Sequence, residues 1–349
     1  MQGMKKAISF IGISRLIMIT FLFLLVCLMY GLGLKSNMII TDCFVRVGMN
    51  GFFVLAMMIS IVCGAGLNFG LPIGIVCGLL GGAITMQMDL KGMPGFLTAC
   101  ALSVLFASIV GYFYGQVLNK VKGSEMMVGN YLGFSIVSLM CIFWMLAPFS
   151  NPKIVWPMTG FGIRNTLTLE ENYGVVLDNF FAIKLGEDLI FPTGLYIVFL
   201  GGCLIMWLFL KTKVGVTLKC AGENPIFAKT IGIDDNRARI IGTVISTVLA
   251  AVGINIYSQS FSFYQFYSAP LMMAFPAIAA ILIGGATPKK ANVFNVILGT
   301  VLFQSILTIA MPVANKMVTV GSLSEVTRVI VSNGIILYAL TKISKGGGK

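Results

Sequence analysis

Long apolar segments separated by short polar connections dominate this chain of 349 residues. Two stretches contain no Lys, Arg, Asp or Glu: residues 47–88, which are 42 positions long, and residues 240–288, which are 49 positions long. A helix that crosses the hydrocarbon core of a bilayer needs only about 20 predominantly apolar residues. The pattern therefore predicts an all-α polytopic membrane protein.

Hydropathy divides the chain into about ten apolar segments, each expected to be a transmembrane helix. We place them at residues 10–34, 47–63, 67–88, 93–118, 126–146, 189–210, 238–257, 269–285, 291–311 and 326–340. Residues 1–349 are expected to form a single transmembrane domain. Two connections are unusually long, and loops of such length usually carry function. One covers residues 147–188 and is rich in Pro, Asn and acidic residues, and the other covers residues 211–237 and is basic.

Composition excludes several classes of protein. Hydrophobic residues make up 58% of the chain and charged residues 10%, against about 25% charged residues in an ordinary soluble domain. The chain contains no His, its eight Cys form no C-x-x-C pair, and it has no G-x-x-x-x-G-K-[ST] phosphate-binding loop. We therefore expect no metal site, no catalytic residues and no ATPase site in this chain, and neither a soluble enzyme nor a secreted scaffold.

The net charge of +12 is best explained by topology. If the N-terminus is cytoplasmic, ten spans place both termini inside, with 16 of the 24 basic residues inside and 8 of the 12 acidic residues outside. Loop Lys and Arg residues stay on the cytoplasmic side of a membrane. The entire excess of positive charge then belongs to the cytoplasmic face, so no nucleic-acid partner is needed to explain it. Residues 147–188 become an external loop and residues 211–237 a cytoplasmic one.

The cytoplasmic connection contains a short predicted helix with both ends marked. Asn224 is a favourable N-cap, Pro225 suits the first helical position, and Gly232 suits a left-handed C-cap. Two turns of helix are not stable alone, so the element needs a surface on which to pack.

The predicted helix carries an apolar face, and what this face packs against allows two interpretations. Four side chains share it at helical spacing: Ile226, Phe227, Thr230 and Ile231. The face could pack on the ends of the chain's own spans and merely anchor the loop. Alternatively, it could bind a cytoplasmic partner.

The segment AGENPIFAKTIGI, preceded by TKVGVTLK, resembles the cytoplasmic coupling segment of ABC-transporter permeases of the branched-chain amino acid, ribose-type sugar and nucleoside importer family. The chain departs from that pattern at Phe227, where the family prefers Ala. A second similarity is ILIGGATPKKANVFNVILGTVL, with Gly284, Gly285 and Gly299. The resemblance covers about residues 45–340. It assigns the following residues to coupling with an ATPase, with Glu223 and Phe227 expected to contact it: Gly222, Glu223, Asn224, Pro225, Phe227, Ala228 and Gly232.

The resemblance implies a type II ABC importer-like permease with a cytoplasmic coupling helix, located in a bacterial-type cytoplasmic (inner) membrane. Its expected partners are two ABC ATPase subunits or one fused tandem ATPase, a second permease that is identical or paralogous, and an external solute-binding protein. ATP and Mg would be bound by the ATPase, and no cofactor by this chain. The permease would form half of a translocation pathway.

The interior of the predicted spans is nearly free of charge, which favours a neutral polar cargo over ion coupling. A sugar or nucleoside is the first expectation. A branched-chain amino acid or related small solute is the alternative, and an ATPase-independent secondary carrier is the alternative from another class. Candidate pathway residues, each of which could instead serve helix packing, are Asn50, Asn68, Gln87, Asn130, Asn255 and Gln304.

Two further segments allow two interpretations each. The glycine-rich residues 64–74 could be a cytoplasmic turn between the second and third spans, or a broken helix that enters the pathway. The aromatic residues within 258–270 could form an interfacial belt, or they could stack on a passing sugar or base.

Overall fold

The computed structural model describes residues 13–156, 160–186, 188–317, 329–330 and 333–334 of a mostly helical chain. The predicted tenth segment, 326–340, lies almost wholly outside the described residues, as do residues 10–12 of the first. The helices of the first half are α1 (Ile13–Gly31), α2 (Ser36–Val62), α3 (Leu71–Gln87), α4 (Gly92–Lys120) and α5 (Glu125–Leu146). The remaining elements are β1 (Thr166–Thr168), α6 (Val176–Asn179), β2 (Ile183–Gly186), β3 (Leu189–Phe191), α7 (Thr193–Phe209), α8 (Lys213–Glu223), α9 (Pro225–Thr230), α10 (Asp235–Phe261), β4 (Phe263–Gln265), α11 (Ala269–Met272), α12 (Ala274–Ile283) and α13 (Val293–Met317).

Five of the described helices, α2, α4, α5, α10 and α13, are long and apolar enough to cross a membrane. A sixth span results if α7 and α8, which meet at an 80° bend, are one broken span. Helices α1 and α3 and the α11–α12 pair are apolar but shorter. The chain is thus a multi-pass membrane protein, and the predicted number of about ten spans stays a prediction.

Helix α2 begins 11 residues before the predicted second segment, at Ser36 instead of residue 47. The prediction was wrong there because Asp42 and Arg46 interrupt the apolar pattern. The helix nevertheless continues through both charged positions, since its first turns lie towards the end of the bundle, where Thr41 accepts a hydrogen bond from the amide of Ile190.

Helix α10 is the central element of the bundle and packs against α2, α3 and α4. Along α3, Gly74 and Gly78 lie directly on the backbone of α10, where a Cβ on Gly74 would come within 2.5 Å of the carbonyl oxygen of Thr247. These glycines let the two helix backbones approach closely, as small residues do in membrane bundles.

Residues 63–70 reverse the chain between α2 and α3. Descending α2 brings Ala56 to Ser246 and then Cys63 to Gly242, whereas α3 runs back along α10 from Thr247 towards Ala251. The glycine-rich segment is therefore a turn between two helices, with Gly64 and Gly66 at φ values of 79° and 75°. Most of this turn is buried.

The described part of the long connection 147–188 contains short regular elements, although the connection was expected to be a loop. Strand β1 pairs antiparallel with β4, with Leu167 opposite Tyr264, and β2 pairs with β3. Leu169 and Tyr173 are buried. The many turn residues of this connection hid these short elements in the sequence. Strand β1 receives its partner β4 from a distant part of the chain, whereas β2 and β3 are neighbours along it.

Candidate functional site

The basic connection 211–237 contains two helices, α8 and α9, where one was predicted. The chain bends after α7, and Thr212 caps α8 by accepting a hydrogen bond from the amide of Gly215 at 3.3 Å. The inner side of α8 carries Leu218 and Ala221, both buried. The signal for α8 was present in the sequence as a capping Thr followed by apolar residues three positions apart.

The local prediction for α9 is confirmed at both ends. The side-chain oxygen of Asn224 accepts from the amide of Phe227 at 3.0 Å, and Pro225 occupies the first turn. Gly232 adopts φ = 81°. The amide of Gly232 donates to the carbonyl of Lys229 and the amide of Ile233 to that of Ala228, which is the Schellman pattern. A six-residue helix is thereby fixed by its own caps.

The apolar face of α9 points away from the rest of the described residues. Ala228 is completely buried and belongs to a small cluster with Leu218, Ala221 and other residues. By contrast, Ile226 is 80% exposed, and Phe227 and Ile231 are each 54% exposed. The chain's own described spans therefore do not cover this face, which we call the α9 face (Ile226, Phe227 and Ile231).

The end of α8 is joined to the end of α2 by a contact between two glycines. A Cβ on Gly222 would overlap the carbonyl oxygen of Val62 and lie 2.8 Å from the amide nitrogen of Gly64. Conversely, a Cβ on Gly64 would lie 2.9 Å from the Cα of Gly222. Both neighbours are backbone atoms that cannot rotate away, so α8 is held rigidly on the α2–α3 turn.

Ion pairs link α9 to the neighbouring helix ends. Lys122 and Lys229 both contact Asp235, at 2.7 and 3.7 Å, so the first residue of α10 connects the α4–α5 turn to α9. One turn further along α10, Arg239 pairs with Glu125 at 2.5 Å, and both side chains are largely buried. The predicted coupling residue Glu223 is about half exposed and lies 3.5 Å from Lys290.

Asn68, a predicted pathway residue, is buried in a complete hydrogen-bond network. Its side-chain oxygen accepts from the Tyr114 hydroxyl at 2.9 Å and from the amide of Gly70 at 3.0 Å. Its side-chain nitrogen donates to Ser246 at 3.1 Å, and Ser246 donates to the carbonyl of Ala56. This arrangement fastens the α2–α3 turn to α4 and α10, which is a structural role.

Asn255, a second predicted pathway residue, is equally enclosed. It donates to Ser103 at 2.8 Å and accepts from the hydroxyl of Tyr264. Tyr264 in turn accepts from Tyr173 at 3.2 Å. Tyr264 and Phe266 are buried in the core, so both interpretations of the aromatic stretch, a lipid-facing belt and a stacking platform for cargo, are wrong for these two residues.

The other four predicted pathway residues lie on four different helices. Asn50 donates to the carbonyl of Arg46 in its own helix. Gln87 holds the connection after α5, with its nitrogen 2.8 Å from Ser150 and its oxygen accepting from an adjacent amide. Asn130 is half-buried on α5, and Gln304 is buried on α13. Neither of the two cavities described next is lined by any of the six.

Two cavities flank the α8–α9 segment. One, of about 580 Å³, lies between the α2–α3 turn, the start of α5 and the beginning of α9, and Glu223 and Lys289 form part of its wall. The other, of about 430 Å³, lies on the side of α1 and α13. Sequence reasoning missed both, because their walls combine residues from distant helices.

The opposite end of the bundle carries two carboxylates with altered acidity. Burial raises the pKa of Asp178, which accepts hydrogen bonds from Ser260 at 3.0 Å and Gln259 at 3.5 Å. The hydrogen bond from Lys153 lowers the pKa of exposed Asp89. Hydrogen bonds to Glu171 and Asp89 raise the pKa of Lys153 correspondingly.

Comparison with known proteins gives one family and several relatives. Residues 39–340 match the family described as branched-chain amino acid transport system / permease component. The nucleoside ABC transporter permease protein NupC of Lactococcus lactis subsp. cremoris is 26% identical, over 65% of this chain and 69% of that protein. The tyrosine transport system permease protein of Clostridioides difficile is 31% identical over 43% of this chain and half of that protein.

A third relative is the guanosine ABC transporter permease protein NupQ of Bacillus subtilis, which is 32% identical over 28% of this chain and 30% of that protein. The alignments with the second and third relatives therefore span only half or less of those proteins. No solved structure matches the chain significantly.

Proposed function

Because this chain belongs to the family of branched-chain amino acid transport system permease components, we propose that it is the transmembrane permease subunit of an ATP-driven, binding-protein-dependent ABC importer. In this proposal it forms half of the translocation pathway, and a second permease, identical or paralogous, forms the other half. Two ABC ATPase subunits, or one fused tandem ATPase, bind and hydrolyse ATP with Mg. An external solute-binding protein delivers the cargo.

The α9 face is the observation that carries this proposal. Three apolar side chains project from a helix that is fixed at both ends by caps and tied to the bundle through Ala228. Exposed apolar patches on rigid elements are typical of protein–protein contacts. A cytoplasmic ATPase would cover the face, and the Gly64–Gly222 contact would pass its movement to α2.

The same assignment orients the protein. The α8–α9 end of the bundle would face the cytoplasm of a bacterial-type inner membrane, with both termini on that side. Lys211, Lys213, Lys219 and Lys229 lie on or beside these two helices, in agreement with the retention of basic loops inside. The connection 147–188 would then face outwards, where a binding protein docks.

For the cargo we propose a nucleoside. Two of the three relatives described above are named as nucleoside or guanosine permeases, and the described span interiors carry few charges, which suits a neutral polar solute. An amino acid is the second candidate, since the third relative is named as a tyrosine permease. Thermal-shift measurements on the partner binding protein with nucleosides, sugars and amino acids would separate the two.

The docking proposal is tested by charge substitution on the α9 face. We expect Phe227→Asp and Glu223→Arg to abolish co-purification of the ATPase with the permease and to abolish uptake, while the variants fold normally because both side chains are exposed. Phe181→Asp is the matched control for ATPase co-purification, since Phe181 is 71% exposed but lies at the other end of the bundle. Normal ATPase binding and uptake in Phe227→Asp would overturn the proposal.

Reconstitution separates the importer from the remaining alternative, an ATPase-independent secondary carrier. Proteoliposomes containing the permease alone should not transport nucleosides. Transport should appear when the ATPase, the second permease and the binding protein are supplied together with ATP and Mg. Uptake by the permease alone, driven by an ion gradient, would establish the carrier instead.

A further inference from the structure

The wall of the cavity beside α1 and α13 contains more basic than acidic side chains. Its volume is about 430 Å³, and four cationic side chains contribute to its wall: Arg15, Lys219, Lys289 and Lys290. Glu223 is the single acidic residue among the described lining residues. Positive charge therefore exceeds negative charge by three in a space large enough for a phosphate group and its substituents.

One of these cations is built into the structure. Arg15 reaches from α1 across to Gly285, and its guanidinium donates to the carbonyl of Gly285 at 3.4 Å. Gly285 has φ = 87°, and a Cβ at this position would overlap the guanidinium. The glycine therefore leaves the space in which Arg15 lies, half-buried, at the wall of the cavity.

Most of the cationic groups have no counter-ion among the described residues. Lys290 lies 3.5 Å from Glu223, and this is the one ion pair among those lining residues that the structure describes. Within the described residues Arg15, Lys219 and Lys289 form no salt bridge. Unpaired positive charges that converge on one cavity attract anions, and each basic group strengthens the attraction.

The beginning of α13 adds to this potential. Asn292 precedes the helix, and its side-chain oxygen accepts from the amide of Asn295 at 3.0 Å. Both residues line the cavity. The N-terminal end of a helix carries a partial positive charge, so an anion here is stabilised by the helix as well as by the side chains.

The position of the cavity decides between a soluble anion and a lipid. From Arg15 onwards α1 presents apolar side chains to the outside, including Ile17 at 49% and Phe23 at 69% exposure. Helix α8 likewise exposes Val214 and Val216. Lys211, just before α8, lies over the ring of Trp207 at 3.3 Å. Apolar outer faces that change to basic and aromatic residues mark the headgroup level of a membrane.

We propose that this cavity binds the phosphate group of an anionic phospholipid headgroup, held by Arg15, Lys219 and Lys289. The site lies next to Glu223, so a bound lipid would compete with Glu223 for Lys290. The inference does not depend on the cargo or on the ATPase, since it rests on charge, space and membrane position alone.

The test measures lipid retention by the full-length permease in detergent. Native mass spectrometry and titration with phosphatidylglycerol would give the number of bound lipids and their affinity. We expect Arg15→Gln combined with Lys289→Gln to weaken phosphatidylglycerol binding by about tenfold or more, since each basic group contributes about 1 kcal/mol to attraction of an anionic lipid. Lys120→Gln, at the same end of the bundle but outside the cavity, is the matched control and should bind as the wild type.

Three outcomes decide the proposal. Unchanged affinity in the double variant would overturn it, as would equal weakening by Lys120→Gln. Displacement of phosphatidylglycerol by inorganic phosphate at comparable concentration would show that the cavity takes a free phosphate, which overturns the lipid assignment. Lys289→Gln alone guards against misfolding, because Lys289 is exposed and forms no salt bridge within the described residues. It should weaken binding about fivefold.

Discussion

The β1–β4 strand pair and α9 are short elements at opposite ends of α10, and they treat their apolar side chains in opposite ways. Tyr264 of β4, and Phe266 directly after this strand, turn inwards and are buried. Ile226 and Phe227 of α9 turn outwards. The conformation of α9 is therefore stabilised mainly by its caps, whereas that of the strand pair is stabilised by packing in the core. An element that holds its shape without burying its apolar face is available for a partner.

The largest loss of stability is expected from a substitution beside the β1–β4 strand pair that leaves α9 unchanged. Phe266 is buried and packs edge-on against Trp144 with ring centroids 5.1 Å apart. Phe266→Ala should lower the free energy of unfolding by about 3–5 kcal/mol. Phe227→Ala should change it by no more than about 0.5 kcal/mol, since the ring is exposed. Denaturant unfolding in detergent measures both, and equal losses would contradict the comparison.

The next effect concerns the frame that supports α9. Arg239→Met removes the partner of Glu125 and leaves a largely buried carboxylate, which should cost about 3 kcal/mol. Arg237→Met is the control on the same helix, because Arg237 is 85% exposed and its pair with Asp234 is worth about 1 kcal/mol or less. The same unfolding measurement compares the two, and similar losses would show that the Arg239 pair is no part of a rigid frame.

A smaller loss is expected where α8 meets α2. Gly222→Val forces a side chain against the backbone of Val62 and Gly64 and should cost about 1–3 kcal/mol. Gly201→Ala on α7, where nothing lies within 4 Å of the added Cβ, should be neutral or stabilise by about 0.5–1 kcal/mol. A fully stable Gly222→Val variant would mean that α8 is not held there.

The smallest effect has the opposite sign and returns to the β1–β4 end. Burial raises the pKa of Asp178, so the folded state binds a proton at a pH where the unfolded chain has released it, and stability falls as pH rises through this window. Asp178→Asn keeps an acceptor for Ser260 and removes the charge. Its melting temperature should exceed that of the wild type at neutral pH and approach it at acidic pH. Exposed Asp188→Asn, the control, should show neither change.

The sequence predicted α9 well because its signals are local. Asn224, Pro225 and Gly232 act within one or two turns, and each adopts the predicted role. The direction of the apolar face could not be predicted, since it depends on which spans lie nearby. Whether Phe227 meets an ATPase, as the coupling assignment proposes, depends on another chain altogether.

The pathway candidates show the limit of the same reasoning. A polar residue in an apolar segment signals a hydrogen bond, but the sequence does not give its partner. Asn68 and Asn255 form hydrogen bonds with Tyr114, Ser246 and Ser103, in pairs that are 46 to 178 positions apart in the sequence and that only the fold brings together. The second helix was predicted too short for a related reason, because charged side chains near a helix end interrupt hydropathy without ending the helix.

The 80° bend between α7 and α8 gives the segment the geometry of a crank. Eleven residues make α8 about 16 Å long, so its far end moves by about 3 Å for every 10° through which α7 rotates about its own axis. A sideways displacement of α9 would therefore turn α7, while the glycine contact would push on α2 in the same stroke. A movement of α8 would thus rotate α7 and displace α2 at the same time, so the two movements would be coupled.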